Sequence, residues 1–140
     1  SELMNHHTYV IAGDGCLMEG VSHEAASLAG HLGLDRLICI YDDNKITIDG
    51  STSLSCSDDV VQRFTSYGWN VLQLGEIGED LDALEAALIR AKQHSGSPTL
   101  CVLQTHIGFT GIVWIIYIQK HICHCGISGI HLSTFFRIIF

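Results

Sequence analysis

The sequence predicts an α/β fold, an open and mostly parallel sheet with helices on both faces, and three observations carry that expectation. Short β-prone apolar runs recur as far as Gln104. Between them lie stretches with apolar residues at helical spacing, and capping or breaking residues separate the two kinds of segment. This alternation is the pattern of βαβ units.

Tyr9 to Ala12 reads as the first buried strand and ends at Gly13. From Met18 to Leu32, Val21, Ala25, Leu28 and Leu32 recur at helical spacing, with Gly33 available to stop the helix. Leu37 to Tyr41 is the second strand, ending on Asp42, and the crossover between the two should be right-handed. Ser57 can cap a helix through Asp58, Asp59, Val60, Val61 and Phe64 that ends near Gly68, and Asn70 to Leu74 follows as a strand. Leu81, Leu84, Leu88 and Ala91 mark a further amphipathic helix. Asp80, Asp82 and Glu85 at its start, with Arg90, Lys92 and His94 at its end, complement the helix dipole. Gly96 and Pro98 break it, and Thr99 to Gln104 forms the next strand.

A chain of 140 residues can bury one modest core. All 15 acidic residues lie at or before Glu85, whereas the stretch from Thr110 to Phe140 carries only Lys120 and Arg137 as full charges. The chain therefore reads as two pieces, a domain over residues 1–109 and a hydrophobic tail over 110–140 to which the pattern assigns no structure. The net charge of −8, without a cluster of Lys and Arg, argues against a nucleic-acid surface. An anionic ligand would need a metal to supply positive charge. Ile107 to Ile118, the longest apolar stretch, is interrupted by Gly108, Thr110 and Gly111 and falls short of the roughly 20 residues of a membrane-spanning helix. The six cysteines form no secreted-domain framework, and Cys39 and Cys101 fall in predicted strands, so a reducing compartment is expected. The opening Ser1-Glu2-Leu3 carries no secretory or transit signal, which suggests a start inside a longer protein.

Two polar clusters follow the first two strands: Gly13-Asp14-Gly15 and, 26 residues later, Asp42-Asp43-Asn44. In open α/β sheets, ligands collect outside the carboxyl ends of the strands. Gly13 and Gly15 would let a diphosphate approach the backbone, and the helix beginning near Met18 would offer free N–H groups to it. Asp14 can give a carboxylate, and Asn44 a carbonyl oxygen, to a magnesium or calcium ion that also holds phosphate oxygens. Taken singly each cluster is more often a turn or a solvated loop, and the spacing alone leaves nucleotide-binding and phosphotransfer readings open.

The surrounding residues narrow the choice. Gly13-Asp14-Gly15-Cys16-Leu17-Met18-Glu19-Gly20, Ser27-Leu28-Ala29-Gly30-His31-Leu32, Tyr41-Asp42-Asp43-Asn44-Lys45-Ile46-Thr47-Ile48-Asp49-Gly50 and Tyr67-Gly68-Trp69 together resemble transketolase, from about His7 to Phe109. The resemblance implies thiamine diphosphate as cofactor, with Asp14, Asn44 and the main-chain oxygen of Ile46 holding the metal. Gly15 and Asn44 would contact the diphosphate, Gly13 would shape the turn and Ile48 would pack near the cofactor. It also implies that Glu19 belongs to a carboxylate network at a homodimer interface. The parent enzyme would transfer two-carbon ketol units between sugar phosphates, in the pentose phosphate pathway of cytoplasm or plastid. The resemblance further implies that the acid activating the cofactor would come from another domain of the partner subunit, so this chain alone is expected to be inactive. The bland alternative is a truncated, non-catalytic α/β module that still binds metal and diphosphate.

Beyond Phe109 the family pattern is lost. Thr110-Gly111-Ile112-Val113-Trp114 stands where a glycine-rich, His-bearing loop is expected, and the change resembles translated non-coding or frame-shifted sequence. His121, Cys123, His124, Cys125 and His131 hold one Cys-x-Cys without a second paired half, a poor match to a zinc site. His6, His7, His23 and His31 read as surface or helix residues.

Overall fold

In the computed structural model of the chain, residues 5–48 and 50–107 are described; the expectations for the tail and its histidines and cysteines lie outside them. The elements below belong to one compact unit, Ser1–Thr105. Strand β1 spans Thr8–Gly13, and helices α1 (Asp14–Met18) and α2 (Gly20–His31) lead to β2 (Leu37–Asp43). A two-stranded antiparallel hairpin of β3 (Ile46–Thr47) and β4 (Gly50–Ser51) precedes α3 (Val60–Ser66). Strand β5 (Asn70–Gly75), helix α4 (Leu81–Gln93) and β6 (Thr99–Gln104) complete the unit.

The four long strands form one parallel sheet in the order β1-β2-β6-β5. Its two faces bury different side chains, because neighbouring residues of a strand point opposite ways. Cys39 and Tyr41 of β2 join Leu100 and Val102 of β6 in a core with Leu17, Ala26, Ala29 and Phe64, contributed by α1, α2 and α3. Ile38 and Cys101 pack on the other side against Ala91 of α4. Right-handed crossovers require this division: the connections β1 to β2 and β2 to β5 run one way across the sheet, and β5 to β6 runs back.

Four local details depart from the sequence expectation. The first helix starts at Asp14, not near Met18, and is broken at Glu19, whose extended backbone (φ −69°, ψ 136°) separates α1 from α2. Ser57 is not the cap of α3; Asp59 is, accepting from the Gln62 backbone N–H at 3.0 Å and from the Gln62 side chain at 2.8 Å. Val21 and Leu28 of α2 and Leu32 at its C-cap are exposed, while small Ala26 and Ala29 face the sheet and permit close packing. The β3–β4 hairpin is not part of the sequence expectation, although a β-branched run before Asp49-Gly50 is a hairpin signal.

Candidate functional site

Gly13 and Asp42 are register partners on neighbouring parallel strands, so the two polar clusters leave the sheet side by side at its carboxyl edge. Asp14 opens α1 and is buried, 7% exposed. Its Oδ1 accepts from the Tyr41 hydroxyl at 2.6 Å, and its Oδ2 accepts from the Lys45 backbone N–H at 2.9 Å. Ion pairs among the described residues are Lys45–Asp43 at 2.7 Å and Arg63–Asp58 at 3.0 Å. Asp14 is in neither. A buried carboxylate without a counter-charge is costly, so this geometry favours a cation next to it.

Burial, and then the neighbouring Asp14 and Asp43 carboxylates, push the Tyr41 phenol well above its usual range. It therefore stays a proton donor at neutral pH. The backbone that brings Lys45 to Asp14 adopts φ +61°, a left-handed conformation costing a non-glycine residue roughly 1–2 kcal/mol. Among the described residues it is the one non-glycine position with positive φ.

Asn44 is held at both ends of its amide. Its Nδ2 donates to Asp42 Oδ2 at 3.1 Å, and its Oδ1 accepts from the Ile46 backbone N–H at 3.0 Å. Asp42 Oδ1 in turn accepts from the Thr105 hydroxyl. The Lys45 carbonyl accepts from Thr52, which makes Ile46, opposite Ser51, a pair whose polar groups turn away from β4. In extended backbone the N–H and C=O of one residue share a side. The Ile46 carbonyl is thus directed to the side where its N–H meets Asn44.

These donors fit a hard cation: one carboxylate, one amide oxygen and one main-chain oxygen, all oxygen ligands. A Cβ built on Gly13 or Gly15 would meet no atom within 4 Å, which leaves open space above the turn for an anion. Ile48 is fully exposed and touches none of this set, and Glu19 is exposed at the α1–α2 junction. A cleft of about 480 Å³ lies beside the site, and Asp14, Tyr41, Asp43, Cys56, Val60 and Arg63 are among the residues that line it. Gly13, Gly15, Asn44 and Ile46 do not line it. The sequence pattern does not single out Tyr41 or Thr105 for the site, and it marks Asp43 only as a member of its cluster, with no role. Tyr41 sits in an apolar strand, where an aromatic reads as core.

The family model described as "Transketolase, thiamine diphosphate binding domain" matches residues 1–126, and so extends past Phe109, where the sequence reading places the end of the resemblance. The chain belongs to this family. Transketolase from Nostoc sp. is 51% identical over 109 residues, which cover 78% of this chain and 16% of that protein. Transketolase 1 of Saccharomyces cerevisiae is 53% identical over 129 residues, 92% of this chain and 17% of the yeast protein. A Pichia stipitis transketolase mutant in complex with xylulose-5-phosphate superposes with a TM-score of 0.74 at 50% identity, over 78% of this chain and 16% of that one. The chain thus spans about a sixth of the length of these transketolases, and the matched structures have the expected α/β architecture.

Proposed function

We propose that this chain is the diphosphate- and metal-holding part of a transketolase, a transferase of two-carbon ketol units between sugar phosphates. The observation that carries the reading is Asp14: a buried carboxylate with no cationic partner among the described residues, at a sheet edge shared with Asn44. In this reading Asp14, Asn44 Oδ1 and the Ile46 carbonyl hold Mg²⁺ or Ca²⁺, and the ion carries the diphosphate of thiamine diphosphate. Gly15 and Asn44 contact the diphosphate, Gly13 shapes the turn beneath it, and Ile48, now in solvent, gains cover when the cofactor binds. Glu19, exposed between α1 and α2, meets the second subunit of a homodimer.

Bound thiamine diphosphate would supply the carbanion chemistry of ketol transfer. The residues described here bind and orient. Asp14 and Asn44 fix the metal, and the Gly13–Gly15 turn leaves room above the backbone. Activity in the pentose phosphate pathway, in cytoplasm or plastid, is the role of the whole enzyme. Among the described residues no helix is long and apolar enough to cross a membrane, and the acidic balance disfavours nucleic acid. The chain alone is expected to be inactive, which keeps a non-catalytic metal and diphosphate module as the second reading.

Titration calorimetry of the full chain with thiamine diphosphate and Mg²⁺ tests the proposal. Binding that requires Mg²⁺ and is lost in Asp14→Ala is the expected result. Cofactor heat that persists unchanged in Asp14→Ala would overturn the assignment. Ketol transfer by the chain alone would overturn its expected inactivity.

A further inference from the structure

Within Asp42-Asp43-Asn44, neither aspartate is needed as a metal ligand, yet Asp43 is as buried as Asp14, at 7% exposed. Its surroundings account for this. The Tyr41 hydroxyl oxygen lies 2.6 Å from Asp14 Oδ1 and 3.0 Å from Asp43 Oδ1, so one phenol proton is presented to two carboxylates. Lys45 closes the figure from the other side. Its Nζ pairs with Asp43 Oδ1 at 2.7 Å, while its backbone N–H donates to Asp14 Oδ2 at 2.9 Å. The four residues form a ring: Asp14 to Tyr41, Tyr41 to Asp43, Asp43 to Lys45, and Lys45 back to Asp14.

The charge within the ring is unevenly placed. The one cation, Lys45, is spent on Asp43, which leaves the full negative charge of Asp14 available to an ion. Both Asp14 oxygens are anchored by neutral donors on opposite sides, which fixes the plane of the carboxylate without cancelling its charge. A cationic donor at either oxygen would compete with the metal; a hydroxyl and an amide do not.

From this ring we infer that Tyr41, Asp43 and the left-handed Lys45 are positioning residues for the cation site: they hold the Asp14 carboxylate in the orientation that receives a divalent metal. The inference rests on Asp14 being a metal ligand, as proposed above. Tyr41 acts directly on Asp14. Asp43 holds Tyr41 and keeps the Lys45 ammonium away from Asp14. Outer partners of metal ligands generally contribute roughly ten- to a hundredfold in metal affinity, and Tyr41 falls in that class.

The test is Mn²⁺ binding, followed by the loss of the free-ion paramagnetic resonance signal, in the full chain with thiamine diphosphate present. Four variants are compared with the parent: Asp14→Ala, Tyr41→Phe, Asp43→Asn and Lys45→Met. Asp14→Ala should abolish specific binding. Tyr41→Phe and Asp43→Asn should raise the Mn²⁺ dissociation constant about tenfold or more, while metal-free melting reports separately on the fold. Lys45→Met keeps the backbone N–H on Asp14 and alters an exposed side chain, so it serves as the variant least able to disturb folding; by releasing Asp43 to compete for the Tyr41 proton, it should shift the Mn²⁺ dissociation constant away from the parent's. If Asp14→Ala abolishes binding while Tyr41→Phe, Asp43→Asn and Lys45→Met bind Mn²⁺ as the parent does, the positioning role is wrong and the ligand assignment stands. If the parent binds no Mn²⁺, or Asp14→Ala binds it unchanged, the ligand assignment fails and this inference falls with it. Variants that melt earlier but keep the parent's dissociation constant would mark the ring as structural only.

Discussion

Gly30 of α2 lies against Tyr67 so closely that a Cβ built on it would stand 1.9 Å from the Tyr67 carbonyl oxygen and 3.2 Å from the Trp69 ring. Four residues earlier, the Ala26 carbonyl accepts from Trp69 Nε1 at 2.8 Å. Two segments that carry the family resemblance, Ser27 to Leu32 and Tyr67 to Trp69, are thus the two sides of one contact between α2 and the turn that joins α3 to β5.

Gly30→Ala should therefore be among the most damaging single-methyl additions in the domain. The obstructing atom is backbone carbonyl, which cannot swing aside as a flexible side chain could. Overpacking of this kind costs about 3 kcal/mol. Urea unfolding checks it, and a loss below about 1 kcal/mol would show that α2 can shift away from Tyr67.

Thr105→Val should weaken cofactor binding without a comparable loss of stability. The Thr105 hydroxyl holds Asp42, and Asp42 holds the amino end of Asn44, which keeps the amide oxygen on the ligand side. Without the hydroxyl, the amide is freer to flip, and the affinity for Mg²⁺ with thiamine diphosphate should fall about tenfold. Calorimetry measures this; unchanged affinity would show that Asp42 orients Asn44 unaided.

Burial raises the Cys39 thiol to about 12 and the Cys101 thiol to about 11, while Cys16 and Cys56 are partly exposed. Among the described cysteines, alkylation at pH 8, mapped by mass spectrometry, should modify Cys16 and Cys56 first and reach Cys39 and Cys101 only on unfolding. The same shift sets a pH dependence. The native state keeps Cys39 protonated while the unfolded chain releases that proton near 9, so this contribution is intact below pH 9 and declines towards pH 12. One retained proton corresponds to a slope of about 1.4 kcal/mol per pH unit. Cys39→Ala should flatten the fall in stability between pH 9 and 10.5.

Asp80 caps α4 by accepting from the Ala83 backbone N–H at 3.0 Å. Asp80→Ala should cost about 1 kcal/mol, visible as a lower melting temperature. Because α4 packs on the sheet face away from α1 and α2, cofactor affinity at low temperature should be unaffected.

Much of this architecture was legible because its central strands, β2 and β6, are buried on both faces. Leu37 to Tyr41 and Thr99 to Gln104 read as continuous apolar runs, and topology then places the ends of β1 and β2 together, as the Gly13–Asp42 register has it. Local backbone choices were not legible. Nothing in the sequence around Glu19 signals its extended conformation, and Asp59 outcompetes Ser57 as a cap through a second bond to Gln62. The supports of the site were hidden for a different reason. Tyr41 looks like a core residue because it is one, with only its hydroxyl at the site, and Thr105 meets Asp42 across 63 residues that no local pattern spans.

The position of β6 has a consequence for synthesis. It is the last of the four sheet strands to leave the ribosome, yet it lies between β2 and β5. Until Gln104 has emerged, the nascent chain holds a β1–β2 pair and a β5 strand without a neighbour, and the vacant edge of β2 is open to other chains. Elongation through this window is the stage at which a holdase chaperone has most to protect, and slow codons after Gln104 would help more than slow codons before Thr99.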